Sequence, residues 1–187
     1  NSKINDVNHL KNTLKILSCD RDCGVSQNSI SELEYIEELN CHNNTKINNV
    51  NHLKNTLKIL NCSWNCGIDQ NGISELEYIE ELYCDGNDKI NNVNHMKTTL
   101  KILSCGGHCG INQNGISELR YIISLDCDSN PKINNVNHLK NTLKTLYCGW
   151  SCGIDQDGIS KLEHIKTIFC HDNHKIKDID FLAKKLS

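Results

Sequence analysis

Cysteine is the residue type in this chain with the widest choice of chemistry. The 187 residues include 12 cysteines and 9 histidines. Thiolates can bind zinc, form disulfides or act as nucleophiles. The best candidate for a metal site is the run Cys105-Gly-Gly-His108-Cys109, but a zinc site needs about four convergent ligands, usually from two such pairs. We therefore predict no metal site and no cofactor.

The regular recurrence of these residues speaks against catalysis, because an active site is normally unique. The histidines at positions 9, 52, 95 and 138 all follow Val-Asn, and three of the four precede leucine. His42, His108 and His171 do not belong to this constant Val-Asn-His pattern. Their spacing in the sequence does not identify an Asp or Cys that could act with them. No catalytic residue is predicted, and we do not expect an enzyme.

The recurrence reflects an internal repeat of 43 residues. Each unit divides into two sub-repeats, of 22 and 21 residues. The eight sub-repeats begin at Leu14, Ile36, Leu57, Ile79, Leu100, Ile122, Leu143 and Ile165. A period of this size indicates one structural unit stacked on copies of itself.

The first residues of a sub-repeat have the pattern of a short strand. In the sub-repeat that starts at Leu57 (position one), Leu60 and Cys62 alternate with Asn61 and Ser63. This alternation predicts that Leu60 and Cys62 face the core and that Asn61 and Ser63 face outward.

The connector that follows has the pattern of a short helix or 3₁₀ turn. Ile73, Leu76 and Ile79 are spaced three apart, which gives one apolar stripe. Asp69 or Asn71 could cap this turn. Since neither the strand nor the connector can bury its apolar side alone, neighbouring repeats must stack to close a core.

With these eight approximate matches to L-x-x-L-x-L-x-x-N/C, the chain resembles the leucine-rich-repeat family. The resemblance implies an α/β repeat fold: a solenoid curved like a horseshoe, with a concave parallel β-sheet and convex short helices or 3₁₀ turns. We expect residues 1–187 to form a single domain of four doublets that start near 3, 46, 89 and 132, with a partial unit at 175–187.

Two narrower resemblances concern the subclass. The run Ile68-Asp-Gln-Asn-Gly-Ile73-Ser-Glu-Leu76 is similar to the cysteine-containing leucine-rich repeats, which are often found behind an F-box. Composition and mixed sub-repeats are also similar to multicopy leucine-rich viral proteins of large DNA viruses. The only methionine is Met96, so we expect that residue 1 is not a natural start.

The chain departs from the family pattern at two places. Asparagine occupies position nine only in alternate sub-repeats, as Asn44, Asn87, Asn130 and Asn173, whereas the others have Asp22, Asn65, His108 and Ser151, each followed by cysteine. An unbroken asparagine ladder is therefore not predicted. The segment from Asp178 to Leu186 leaves the repeat pattern and could form an amphipathic cap.

The cysteines are expected to be reduced. Eight of them occupy the inward position six, where free cysteine acts as a small buried hydrophobe. The other four recur on alternate strands, ~10 Å apart at ~4.8 Å per strand, too far to pair with each other. A cytoplasmic or other reducing intracellular compartment is predicted.

The positions that differ between copies indicate where function resides. They are mainly positions five, seven and eight, which project from the concave face or lie at its rim. Exposed aromatic residues there are typical anchors of protein interfaces. We expect two aromatic clusters, Trp64 with Tyr83, and Tyr147 with Trp150 and Phe169. The predicted partner-binding residues are Trp64, Tyr83, Asp85, Asp126, Asp128, Tyr147, Trp150, Phe169 and His171.

Unselected drift is the alternative explanation for this variation. Drift should also alter the convex surface, yet Lys54, Asn55 and Asn91 are nearly constant among the copies. Tyr35, Tyr78 and Tyr121 belong to the constant frame and are interpreted as structural.

Charge argues against nucleic acid as the partner. The chain has 20 Lys+Arg against 23 Asp+Glu, a net charge of −3, and only Arg21 and Arg120 are arginine. No apolar run approaches the roughly 20 residues of a membrane-spanning helix. At position two, lysine and glutamate alternate from Lys15 to Lys101, which predicts a ladder of opposite charges.

We therefore predict a non-enzymatic scaffold that binds a protein ligand on its concave face. Two alternatives stay open. One is the substrate-recognition region of an F-box-type ubiquitin ligase adaptor, and the other is a structural stack that self-associates end to end.

Overall fold

The computed structural model describes residues 4–21 and 23–179. Eight strands of three residues form one parallel sheet, and their spatial order is their order in the chain. The strands are β1 Ile16–Ser18, β2 Glu38–Asn40, β3 Ile59–Asn61, β4 Glu81–Tyr83, β5 Ile102–Ser104, β6 Ser124–Asp126, β7 Thr145–Tyr147 and β8 Thr167–Phe169. Each strand begins at position three of a sub-repeat, so the predicted solenoid with a parallel sheet is confirmed.

Short helical turns connect the strands on the other side of the core. Two are α-helices, α1 Gln27–Ile30 and α2 Gln156–Ile159, and six are 3₁₀ helices: Asn8–Leu10, Asn51–Leu53, Asn71–Ile73, Asn94–Met96, Asn114–Ile116 and Asn137–Leu139. The Asp69 side chain caps its turn, since its Oδ1 accepts a hydrogen bond of 2.9 Å from the Gly72 amide.

Position-four side chains form a continuous apolar row through the stack. Leu39 pairs with Leu60, and Leu60 with Leu82, in parallel register. Leu60 and Cys62 are fully buried, as predicted. Ser63, which alternation places on the outward side of the sheet, is nevertheless buried. We call the solvent side of the sheet the concave face.

The cysteines form a ladder inside this core. Eleven are buried, and Cys170, at the end of the last strand, is partly exposed. Cys66 Sγ lies 3.5 Å from Cys41 Sγ, and equivalent contacts of 3.7 Å and 3.6 Å join Cys84 to Cys109 and Cys127 to Cys152. Three of the four extra cysteines, Cys66, Cys109 and Cys152, thus contact a cysteine of the preceding sub-repeat. The hydrogen bond with Cys66 and burial raise the pKa of the Cys41 thiol.

The constant asparagine and lysine of each doublet satisfy buried backbone groups. Asn87 Nδ2 donates to the carbonyl oxygens of Cys62 and Ile68, at 2.9 and 3.0 Å. Lys89 Nζ reaches the carbonyl oxygen of Cys66 at 3.0 Å. The same bonds recur at Asn44, Asn130 and Asn173. The asparagine ladder is therefore present only in alternate sub-repeats.

Outside the core, polar side chains also link successive repeats. His52 Nε2 lies 3.0 Å from the carbonyl oxygen of Ile30, and burial lowers the pKa of this histidine. In the predicted position-two ladder, Glu37 pairs with Lys15 at 2.7 Å and with Lys58 at 3.4 Å. Such exposed pairs each stabilise the fold only slightly, so they act mainly on register.

Parts of two sequence predictions lie outside the described residues. These are the position-nine residue Asp22 and the amphipathic cap from Asp180 onward. Within the described part of the chain, no helix has the length and apolar character needed to cross a membrane.

Candidate binding site on the concave face

The nine candidate residues occupy three equivalent places in their repeats. Four end a strand: Tyr83, Asp126, Tyr147 and Phe169. Asp85, Asp128 and His171 lie two residues beyond a strand end, and Trp64 and Trp150 lie three residues beyond one. Because all the strands are parallel and in register, these side chains gather along one edge of the sheet and the turns that leave it.

The backbone is left-handed at position eight in every repeat. The non-glycine residues with positive φ are Arg21, Asn43, Trp64, Ser129, Trp150 and Asp172, and the glycines are Gly86 and Gly107. A residue with a Cβ in this conformation costs about 1–2 kcal/mol unless it is asparagine or aspartate. Trp64, at φ 62°, and Trp150, at φ 50°, are thus held in an unfavourable backbone conformation.

Both tryptophans are exposed and rest on the next repeat toward the C-terminus. Trp64 is 56% exposed and Trp150 51% exposed. The Trp64 indole lies over Gly86, where an added Cβ would be 3.1 Å from Trp64 Cε3. The Trp150 ring meets the His171 ring edge-on, with centroids 4.3 Å apart and planes at 85°. Each indole therefore contacts the following repeat and remains about half exposed.

A depression of about 280 Å³ lies between the two tryptophans. We call it the acidic depression; it is lined by Trp64, Trp150, Asp85, Asp126, Asp128 and the small residues Gly86, Gly106, Gly107 and Ser129. An added Cβ at Gly106 would lie 2.8 Å from the Asp128 carbonyl oxygen, 3.2 Å from Asp85 Oδ1 and 3.6 Å from Asp126 Oδ1. There is therefore no room for a side chain at position 106, and glycine allows these groups to pack closely around it.

Hydrogen bonds from the protein fix the three carboxylates. Asp85 accepts from the Gly106 amide at 2.7 Å and from the Ser104 hydroxyl at 2.8 Å. Asp128 Oδ1 accepts from the Gly149 amide at 2.5 Å, and Asp126 Oδ1 accepts from the Asp128 amide at 3.0 Å. Ser104, at position five, projects toward Asp85 on the concave face as predicted, and it is buried.

The electrostatic environment of the depression is negative. Burial, together with the charges of Asp85 and Asp128, raises the pKa of Asp126 to about 6 against the opposing hydrogen bond from the Asp128 amide. Partial burial removes solvent that would otherwise screen these charges. A cation in the depression would relieve the repulsion.

The aromatic side chains group differently from the sequence prediction. Tyr147 stacks on Phe169, with centroids 4.5 Å apart and planes at 12°, whereas Trp150 contacts His171. The Tyr83 hydroxyl donates to Glu81 Oε2 at 2.7 Å, and burial and this bond raise the Tyr83 pKa to about 12. In the other predicted cluster, Trp64 contacts Gly86 and the Tyr83 hydroxyl contacts Glu81.

One set of concave-face residues was missed by the sequence reasoning. Position three also points to solvent, one residue before the inward residue of each strand, which is leucine in β1 to β7 and Ile168 in β8. Its members stand side by side in the sheet: Ile16, Glu38, Ile59, Glu81, Ile102, Ser124, Thr145 and Thr167. The period-two alternation was the signal that could have identified them.

Potential metal ligands do not converge within the described chain. Across residues 4–21 and 23–179, no group of three or more His, Cys, Asp or Glu side chains is arranged to hold a metal ion. In the Cys-x3-Cys run, Cys109 contacts Cys84 of the preceding sub-repeat at 3.7 Å.

Comparison with solved structures identifies the fold. The functional domain of InlJ from Listeria monocytogenes, which includes a cysteine ladder, superposes with a TM-score of 0.65 and 23% sequence identity over 89% of this chain. An internalin, InlF, from Listeria monocytogenes gives a TM-score of 0.55 and 20% identity over 98% of this chain. Both are leucine-rich-repeat proteins. This chain is a leucine-rich-repeat solenoid.

The solenoid spans 36% of the InlJ chain and 69% of the InlF chain. The stacked cysteines make it a cysteine-containing member of this fold class. No protein-family model matches the sequence, and a comparison with curated proteins gives no significant match.

Proposed function

We propose that the solenoid is a non-enzymatic scaffold that binds another protein on its concave face, with the acidic depression as the centre of the contact. One observation carries this proposal: three residues that oppose stability line the same depression. Trp64 and Trp150 occupy left-handed backbone positions, and Asp126 is a partly buried carboxylate beside two others. Strain and perturbed pKa values tend to cluster at functional sites.

Drift at unconstrained positions would give a different composition. The left-handed backbone at position eight favours glycine, asparagine and aspartate. Gly86, Gly107, Asn43 and Asp172 follow that preference, whereas Arg21, Ser129 and the two tryptophans do not. The two tryptophans are the largest side chains available, and they occur where the backbone tolerates them poorly. Binding is a reason to retain them, because tryptophan is a frequent anchor of protein interfaces.

A peptide library displayed on phage tests the proposal and does not require an identified partner. Wild-type protein and the double variant Trp64→Asn/Trp150→Asn are immobilised and panned in parallel. Tyr78→Asn/Tyr121→Asn is the matched control, since these tyrosines are similarly exposed but lie outside the depression. We expect wild type and control to enrich the same peptides and the Trp64/Trp150 variant to lose them. Identical enrichment by all three proteins would contradict the proposal.

The open alternatives make separate predictions. An F-box-type adaptor would use the same face, so the panning result applies to it equally. End-to-end association would instead involve the terminal strands, where Ile16 of β1 is 63% exposed. Sedimentation velocity over a range of concentrations tests that association, and Ile16→Lys should abolish it if β1 is the contact.

A reducing intracellular compartment is proposed for the protein. The support is the row of buried free thiols, which contributes apolar packing to the core without crosslinks. Protein produced in reducing and in oxidising compartments of one expression host would test this. If protein from the two compartments has the same yield and the same melting temperature, the buried free thiols no longer support a reducing compartment.

A further inference from the structure

We propose that a groove at the opposite edge of the sheet from the acidic depression binds an acidic segment of a partner protein. One apolar side chain of that segment would lie against Ile123, and a neighbouring carboxylate would pair with Lys144. This inference goes beyond the proposed function, because the groove and the acidic depression share no lining residue.

The groove lies where the connectors enter β5, β6 and β7. Lys101, Ile123 and Lys144 each come directly before one of these strands. The groove has a volume of about 310 Å³ and is lined by Thr98, Thr99, Lys101, Tyr121, Ile123, Asn141, Thr142 and Lys144. The acidic depression is instead formed by residues at and beyond the strand ends. The two sites therefore occupy different edges of the sheet.

The internal repeats supply a comparison for this groove. Residues 34–38 and 77–81 both read Glu-Tyr-Ile-Glu-Glu, whereas residues 120–124 read Arg-Tyr-Ile-Ile-Ser. The third copy thus lacks three negative charges and has one additional positive charge within five residues, while it keeps the tyrosine and the buried isoleucine. These substitutions change the chemistry of the edge and preserve the position of the strand.

The loss of the glutamate at position two leaves a lysine without a countercharge. In the second doublet, Glu80 Oε2 lies 2.5 Å from Lys101 Nζ, and the equivalent glutamate of the first doublet pairs with two lysines. Ile123 cannot form such a pair. Within the described part of the chain, Lys144 forms no ion pair, and the described residues that line the groove include no Asp or Glu. A carboxylate of a partner would supply the missing charge.

The same substitution makes the groove apolar. The Ile123 side chain is 38% exposed and lies beside Tyr121, which is 56% exposed. Threonine and lysine, the other main lining residue types, add methyl groups and aliphatic stems. An apolar side chain placed here would remove apolar surface from water on both partners. The groove is near the lower limit of the roughly 300–1,000 Å³ of small-molecule sites, so it suits a side chain better than a cofactor.

The methyl group of Ile123 provides the measurement. Labelling of isoleucine δ1-methyl groups gives one ¹H–¹³C signal for each isoleucine, and Ile123→Val identifies the signal of Ile123. The probe is the blocked tripeptide acetyl-Asp-Leu-Asp-amide, titrated to about 20 mM because so short a peptide is expected to bind in the millimolar range. We expect the Ile123 signal to shift in a saturable way.

Matched probes separate the contribution of charge from that of apolar contact. Acetyl-Asn-Leu-Asn-amide has nearly the same shape without the charge, and it should bind about threefold to fivefold more weakly, as expected for exposed ion pairs. Acetyl-Asp-Ala-Asp-amide keeps the charge but lacks the large apolar side chain, and it should bind about tenfold more weakly.

Matched variants test the two residues of the groove. Lys144→Gln should weaken binding of the acidic probe by about threefold. Lys58→Gln is its control, since it removes the same charge from the equivalent position of another doublet, outside the groove. Ile123→Glu restores the residue that the first two doublets have at this position, so it should fold, and it should weaken binding by at least about tenfold. Retained dispersion of the methyl signals shows that each variant is folded.

Four outcomes would overturn the inference. They are an unshifted Ile123 signal, equal binding of the Asn-Leu-Asn probe, equal effects of Lys144→Gln and Lys58→Gln, and unchanged binding by Ile123→Glu. An Ile123 signal that shifts with protein concentration in the absence of peptide would show that a second copy of the chain fills the groove, which also contradicts an acidic partner.

This inference and the proposed function can fail separately. Trp64→Asn/Trp150→Asn should bind the acidic probe as tightly as wild type, and a loss of binding in this variant would place the probe at the acidic depression and refute the groove. Conversely, peptides from panning that require the two tryptophans concern the acidic depression, and peptides that require Ile123 concern the groove.

Discussion

The indole of Trp64 lies across the backbone of Gly86, one repeat further along the stack. An added Cβ at Gly86 would be 3.1 Å from Trp64 Cε3 and 3.3 Å from its Cδ2. Both residues occupy position eight and both have positive φ, 62° for Trp64 and 65° for Gly86. The absence of a side chain at Gly86 thus gives the indole a flat surface to rest on, while Trp64 itself bears the backbone strain.

The first prediction concerns this strain. Trp64→Asn should leave stability unchanged or raise it by up to about 1 kcal/mol, because asparagine tolerates the left-handed backbone and the indole is mostly exposed. The control is Tyr83→Asn, which truncates an aromatic side chain on β4 and should destabilise the fold. Urea unfolding measures both. If Trp64→Asn lowers the free energy of unfolding as much as Tyr83→Asn does, the indole is structural.

The second prediction concerns the pH dependence of stability through Asp126. Its pKa is raised from an ordinary 3.8 to about 6 in the folded protein. The folded state therefore holds this proton more tightly than the unfolded state. The resulting stability is fully present below about pH 4 and is lost as the pH rises through about 6.

Asp126→Asn should consequently stabilise the protein at pH 7.5 by about 1 kcal/mol, a figure reduced for solvent screening because the carboxyl is only partly buried. At pH 4 the variant and wild type should be nearly equal. Guanidinium unfolding at both values of pH provides the comparison, with Glu75→Gln as the control that shows no such gain. A gain that is the same at both values of pH would rule out deprotonation of Asp126 as its cause.

The third prediction compares two asparagines at position nine. Asn87 is buried and its amide donates to two carbonyl oxygens, so Asn87→Ala should cost about 2–4 kcal/mol by leaving buried backbone groups unpaired. Asn65, in the alternate sub-repeat, is exposed, and Asn65→Ala should change stability by less than about 0.5 kcal/mol. Thermal unfolding of the two variants measures both changes. Equal losses of stability would contradict the prediction that only the asparagines of alternate sub-repeats are structural.

The fourth prediction concerns the thiols. Under native, reducing-agent-free conditions Ellman's reagent should react rapidly with only about one thiol, Cys170, since the other eleven are buried. In denaturant all 12 cysteines should react. A smaller number in denaturant would reveal disulfides, for which Cys41 with Cys66, at 3.5 Å between sulfurs, is a leading candidate.

The strand positions were predictable because they depend on local alternation. The pattern at Leu60 and Cys62 places them inside, and each strand begins at the same position of its sub-repeat. Alternation did not predict the low exposure of Ser63 and Ser104, which lie on the concave side and are nevertheless buried. Alternation gives the direction of a side chain, but the size of neighbours on adjacent strands decides whether solvent reaches it.

The candidate site was only partly predictable. The variable positions identified Trp64, Trp150 and the aspartates as residues that share one face. The sequence also contained a signal that was not used: glycine, asparagine and aspartate recur at position eight, as expected for a left-handed backbone. That signal would have marked four exceptions: Trp64, Trp150, Arg21 and Ser129.

The sequence by itself determined the repeat, the strand register and the inward row of leucine and cysteine, because these follow from spacing within about 20 residues. Only the tertiary structure decided which residues of different repeats meet. Cys41 contacts Cys66, 25 residues away. The carboxylates of Asp85, which follows β4, and of Asp126, which ends β6, approach Gly106, which follows β5. The physical reason is that such contacts depend on the offset between stacked strands and on the direction of each turn, which no single repeat specifies.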